Sequence, residues 1–125
     1  ALDGADSVIN LVGILYESGT QTFDAVHHQG AARIARVAKA AGISNFIQMS
    51  ALGAAPDSPA QYARSKAAGE AAVRAEIPEA IVVRPSVIFG PEDSFFNRFA
   101  SIMRITPLLP LIGGGEQKFQ PVYVG

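Results

Sequence analysis

Three short strand-like runs, each parted from the next by a helix-length stretch, constrain this chain more than any other feature. The runs are Ser7 to Val12 (Ser-Val-Ile-Asn-Leu-Val), Asn45 to Ser50 (Asn-Phe-Ile-Gln-Met-Ser) and Ala80 to Arg84 (Ala-Ile-Val-Val-Arg). The first, apolar and β-branched, reads as a strand buried on both faces, as in a parallel sheet, and the other two read as further strands. Between the first two, Phe23, Val26, Ile34, Val37 and Ala38 recur at helical spacing from about Thr22 to Ala41, and Gly42 is a suitable left-handed stop. Between the second and third, Ser58-Pro59-Ala60-Gln61 opens a helix that runs to about Ala75, with Ser58 as N-cap, Pro59 at the first position and Gln61 placed to bond back. A helix between two strands forces a crossover, so the strands are expected to be parallel in an α/β, doubly wound sheet.

Beyond Pro85 the regularity fades. Gly90-Pro91 breaks the chain, a short helix is expected from about Ser94 to Met103, loops carry Pro107, Pro110 and Gly113 to Gly115, and Phe119 to Val124 reads as a strand. This divides the chain into residues 1–90, part of one sheet domain, and residues 91–125, the start of a second lobe with its connecting segments.

Composition narrows the function classes. The 125 residues are 49% hydrophobic and 17% charged, which suits a packed core. A net charge of -1, spread evenly, supplies neither a basic stripe for nucleic acid nor a polybasic segment for an anionic membrane. Without cysteine there is no disulfide, thiolate metal ligand or thiol nucleophile. No apolar run reaches the roughly 20 residues that span a bilayer. The chain opens on Ala1 in mid-pattern with no signal-peptide pattern, so it reads as a piece of a longer protein, with any targeting segment outside it.

Tyr62 and Lys66 carry the chemistry. Four residues apart on a helix, they project from one face, one turn from each other. A free phenol has a pKa of about 10, too high for easy proton exchange at neutral pH, and a neighbouring ammonium stabilises its phenolate. The spacing alone also fits an ordinary solvated face. What favours a site is Ser50, which ends the second strand, the edge where open α/β sheets bind ligands. Three other features read more plainly. His27 and His28 are adjacent, so they diverge and form a surface pair rather than a metal site. Glu92-Asp93 serves the N-terminus of the following helix. Gly113 to Gly115 lacks the preceding strand and following Lys-Ser/Thr of a phosphate loop.

Asn10-Leu11-Val12-Gly13 after the first strand, Ser50 after the second, Tyr62-Ala-Arg-Ser-Lys66 and Arg84-Pro85-Ser-Val-Ile-Phe-Gly90-Pro91 after the third together resemble the extended and atypical short-chain dehydrogenases/reductases, the NAD-dependent epimerase/dehydratase-like group. The resemblance implies the second half of a Rossmann-type NAD(P)-binding domain. It also implies that the backbone of Leu11, Val12 and Gly13 lies against the adenosine and its ribose. Tyr62 would be the acid/base of hydride transfer, Lys66 would hold the nicotinamide ribose and tune Tyr62, Ser50 would polarise a substrate carbonyl, and Pro85, Ser86 and Val87 would meet the carboxamide through backbone groups.

Glu70, Asp93, Phe96-Asn97 and Gln120-Pro-Val-Tyr-Val add a narrower likeness, to the branch that holds the nucleotide-binding accessory subunit of respiratory complex I and its bacterial relatives. That branch implies a bound NADP(H) or NAD(H), NADPH favoured, that is structural or slowly turned over, with complex I or another protein as partner. It implies the matrix side of mitochondria in a eukaryote, and in a bacterium the cytoplasm, at the inner membrane's periphery. Two departures bear on this. The Gly-rich pyrophosphate turn and the residue that would choose NAD or NADP are absent from the sequence. Ser50 is followed by Ala51-Leu52-Gly53, a sparse set of substrate-side donors. The alternatives are an active epimerase, dehydratase or reductase using Ser50, Tyr62 and Lys66, and a nucleotide-free scaffold whose Gln120 to Val124 segment faces a partner.

Overall fold

The computed structural model describes residues 2, 4–93, 96–106 and 118–125. These fall into two compact units, Ala1–Arg84 and Pro85–Gly125. In the first, β1 (Ser7–Asn10), β2 (Asn45–Met49) and β3 (Ile81–Val83) form a sheet in that order. Both pairings are parallel, with Val8 opposite Phe46 and Ile47 opposite Ile81. The α/β class and parallel sheet expected from the sequence are therefore present.

The stretch leading to β2 is a helix in two parts: a π-helical portion, Asp24–Gly30, runs directly into α1, Ala31–Ala40. Gly42, at φ 76°, ends it in a Schellman arrangement. Gly42 N–H donates to Lys39 O and Ile43 N–H to Ala38 O, each at 3.0 Å. Helix α2 spans Gln61–Glu76 and begins later than Ser58 suggests. The Ser58 hydroxyl instead accepts from Ala60 N–H at 3.2 Å, a local turn, while the Arg64 guanidinium takes up the Ser58 and Pro59 carbonyls at 2.7 and 2.8 Å. Those bonds hold residues 58–60 outside the helix, so Ser58 is not its N-cap.

Both helices cover the same face of the sheet. Val8, Ala31, Ala35, Ala38, Ile43, Phe46, Val73, Ile77 and Ala80 form one buried cluster. Alanine at the helix positions lets backbone and sheet approach closely, as the alanine-rich composition suggests. Among the described residues β1 is buried on one face and not, as expected, on both: Val8 and Asn10 are buried, whereas Ile9 is 60% exposed and Ile81, on β3, 59%. The alternation follows from α1 and α2 packing on one side, with nothing over the other among the described residues.

The second unit pairs β4 (Ile88–Phe89) with β5 (Val122–Tyr123) in parallel and carries α3 (Phe96–Met103). The sequence reading has β5 within its expected strand but not β4. Asp93 Oδ1 accepts from Phe96 N–H at 2.6 Å, so this residue serves the start of α3 as expected. Gly113 to Gly115, Pro107, Pro110 and the expected helix start at Ser94 lie outside the described residues. Among the described residues, no helix is long and apolar enough to cross a membrane.

Candidate functional site

The end of β1 turns because its last side chain bonds back to it. Asn10 Oδ1 accepts from Val12 N–H at 3.1 Å, and Asn10 Nδ2 donates to Gln48 Oε1 at 2.9 Å, fixing the turn to β2. Leu11, Val12 and Gly13 leave that turn exposed. A Cβ on Gly13 would stand 3.0 Å from Lys66 Nζ and 3.6 Å from His27 Nε2. The turn thus passes close to the Lys66 ammonium, and a side chain at position 13 would crowd it.

Lys66 is 7% exposed, and its Nζ lies 5.8 Å from the centroid of the Tyr62 ring. No hydrogen bond or ion pair holds the ammonium among the described residues. Burial lowers its pKa, with the Glu70 carboxylate pulling the other way. Three donors without a protein acceptor, beneath an exposed turn, fit a ligand rich in hydroxyl oxygens. Burial raises the Tyr62 pKa above its usual 10.0. The expected tuning of the phenol by Lys66 therefore does not set the direction here; desolvation does.

Ser50 is tied differently from the expectation. Its N–H donates to Val83 O at 2.8 Å, extending the sheet, and its hydroxyl donates to Glu70 Oε1. Glu70 also receives Arg84, Nε to Oε1 at 2.8 Å and Nη2 to Oε2 at 2.5 Å. Burial disfavours the Glu70 carboxylate, yet the bonds from Arg84 and Ser50 outweigh it and hold its pKa below the usual value. With its one proton given to Glu70, the Ser50 oxygen offers lone pairs; polarising a carbonyl would require that proton to leave Glu70. Pro85, Ser86 and Val87 open the second unit. There Val87 O accepts from Val122 N–H at 2.9 Å and Ser86 Oγ from Gln120 N–H at 3.4 Å.

His27 corrects the sequence reading most. Expected on the surface, it is 2% exposed, between the turn and α2, while His28 bonds Asp24 in the open. The buried stripe is His27, Ala31, Ala35 and Ala38. Its spacing was available, but histidine and alanine carry less weight than Val37, which is 52% exposed. Burial, then the Lys66 charge, lowers the His27 pKa to about 4, so the ring is neutral. Among the described residues, no group of three His, Cys, Asp or Glu converges on a metal position.

Comparison with known proteins sets this geometry in a family. A mitochondrial NADH dehydrogenase (ubiquinone) 1 alpha subcomplex subunit 9 from Arabidopsis thaliana is 46% identical over 121 residues, which is 96% of this chain and 30% of that protein. A ceramide reductase from Caulobacter vibrioides is 38% identical over 109 residues, 87% of this chain and 34% of that one. The chain thus spans about a third of the length of these relatives. Among solved structures, a UDP-glucuronic acid 4-epimerase from Bacillus cereus in complex with NAD superimposes with a TM-score of 0.69 at 17% identity, over 83% of this chain and 41% of that one, a likeness of fold. Residues 1–125 match the NAD dependent epimerase/dehydratase family throughout, and the chain belongs to that family.

Proposed function

We propose that Leu11, Val12, Gly13, Tyr62 and Lys66 form the ribose-facing part of a nicotinamide dinucleotide site, and that the cofactor is held for structure or turned over slowly. The Lys66 ammonium carries this reading: the residue is 7% exposed, its Nζ has no hydrogen-bond acceptor among the described residues, and no buried side-chain nitrogen among them is left without a partner, so the Nζ keeps an opening through which a ligand can reach it. Lys66 would donate to ribose hydroxyls, and the exposed turn would lie along the adenosine side. When bound, the dinucleotide supplies a hydride donor or acceptor. Of the two dinucleotides, NADPH is proposed ahead of NADH on the motif resemblance described above. The same likeness supports association with respiratory complex I, on the matrix side of mitochondria in a eukaryotic cell.

The Ser50 geometry supports retention over turnover, since the hydroxyl proton is engaged by Glu70. Turnover is the second reading, favoured by the likeness to a ceramide reductase; Tyr62 would then exchange the proton and Ser50 would hold the substrate oxygen. The test is to purify the full-length protein, extract it with acid and assay for dinucleotide. Tyr62→Phe is then compared with wild type on sugar-nucleotide and carbonyl substrates. An empty wild type refutes both readings. Equal retention without turnover supports the structural role, whereas a rate lost only in the variant supports the enzyme. Co-migration with NADH:ubiquinone oxidoreductase activity on a native gel tests the partner.

A further inference from the structure

His27 uses both ring nitrogens, and the direction of each bond is determined. Ile14 N–H donates to Nε2 at 3.0 Å, so that nitrogen carries no proton, and Nδ1–H therefore donates to Ser65 Oγ at 2.9 Å. The Ser65 hydroxyl passes its own proton to Tyr62 O at 2.7 Å, closing a chain from the turn after β1 to α2. The ring is also held on its flanks. Phe23 stacks on it, centroids 5.5 Å apart and planes at 22°, and Tyr62 meets it edge-on at 5.3 Å and 89°.

His27 sits in the π-helical portion, a wider turn that is uncommon outside functional sites. Its carbonyl oxygen presses so closely on α2 that only glycine fits at position 69. These contacts place one residue against the turn, the Tyr62 ring and the segment bearing Lys66, without exposing it to solvent.

We infer that His27 is a positioning residue that locks the Leu11 to Ile14 turn at a fixed height over Lys66 and so sets the affinity of the site for a dinucleotide. The affinity part rests on the reading of Tyr62 and Lys66 proposed above. The neutral ring, forced by burial and by Lys66, is what lets Nε2 accept from Ile14.

The test compares His27→Phe, which keeps the ring volume without polar atoms, with His27→Gln, whose amide restores one acceptor and one donor, in the full-length protein. Two quantities are measured: the Kd for NADPH and NADH, and hydrogen exchange at the Ile14 amide. His27→Phe is expected to weaken binding and speed Ile14 exchange by about tenfold or more, the scale of one lost buried hydrogen bond, and His27→Gln to recover most of both. Wild-type values in His27→Phe, or equal impairment in the two variants, overturn the inference.

If wild type binds no dinucleotide, the site reading fails, and exchange at Ile14 still decides the lock: protection unchanged in His27→Phe refutes it, protection lost and then regained in His27→Gln upholds it. Should His27→Phe not fold, Ser65→Ala severs the Nδ1 anchor alone. Faster Ile14 exchange in that variant supports the lock, and unchanged exchange overturns it.

Discussion

Glu70 and Arg84 meet fork to fork, Arg84 Nε to Oε1 at 2.8 Å and Nη2 to Oε2 at 2.5 Å, joining the middle of α2 to the residue that follows β3. The carboxylate side chain is 7% exposed and the guanidinium 49%, so Glu70 depends on Arg84 more than the reverse. Ser50 adds a third bond to the same carboxylate, and the three residues tie the ends of two strands to one helix.

Replacing Arg84 by Met therefore leaves a buried carboxylate with Ser50 alone. The variant is expected to be less stable than wild type, by less than the loss of a fully buried pair because Arg84 is half exposed. The Glu70 pKa is depressed in the folded state, so its contribution is full above the ordinary 4.5 and fades as pH falls through the folded value. Urea denaturation of both proteins checks this: their difference should narrow in acid. A gap that stays constant from neutral pH to below the carboxylate range refutes the assignment.

Gly69→Ala probes the close approach of α2 to the π-helical portion. An added methyl would collide with the His27 carbonyl oxygen, a backbone atom that no rotamer change can move. Alanine ordinarily favours a helix over glycine by about 1 kcal/mol. Overpacking should outweigh that gain and leave the variant about 1 to 3 kcal/mol less stable. Thermal denaturation reads the sign directly, and a raised Tm would mean that the two helices can part without cost.

The sheet was legible because its signal is local: short runs with apolar residues, bounded by turn residues, mark β1, β2 and β3, and Gly42 marks a helix end. Tyr62 and Lys66 were legible for the same reason, being four residues apart on one helix. What the sequence hides is decided at long range. Ile88 and Phe89 form a strand only because Val122 and Tyr123, far along the chain, pair with them. Glu70 gains its partner only when β3 brings Arg84 beside it. His27 reads as half of a surface pair until the turn after β1 supplies an N–H to its ring.

Acid should weaken the fold in two separable stages. His27 is neutral when folded, with a pKa of about 4 against the usual 6.5, because burial and then the Lys66 charge disfavour its protonated form. The unfolded chain binds the extra proton between those values, so stability falls as pH drops from about 6.5 to 4 and is retained above. The Glu70 contribution is full above its ordinary 4.5 and is lost only below it. Denaturation midpoints against pH should flatten in the upper window for His27→Gln and in the lower one for Arg84→Met. A His27→Gln profile parallel to wild type across the upper window contradicts a buried neutral imidazole.

Lys66→Met separates what the ammonium does for folding from what it does for binding. In the ligand-free protein the ammonium has no hydrogen-bond acceptor among the described residues, and burial already depresses its pKa. A flexible apolar side chain of similar length removes that desolvation penalty and keeps the packing beneath Gly13. Stability without dinucleotide should therefore rise or stay level, while affinity for dinucleotide falls by at least about tenfold, the cost of losing charged bonds to ribose. Removing the charge also relieves the neighbouring imidazole, so the His27 pKa should move up from about 4, a shift that NMR titration can follow. A variant that loses stability and affinity together would show that Lys66 is a structural residue, its charge already satisfied before any ligand arrives. Stability gained at the expense of binding is the pattern of a residue kept for function, since folding alone would select against it.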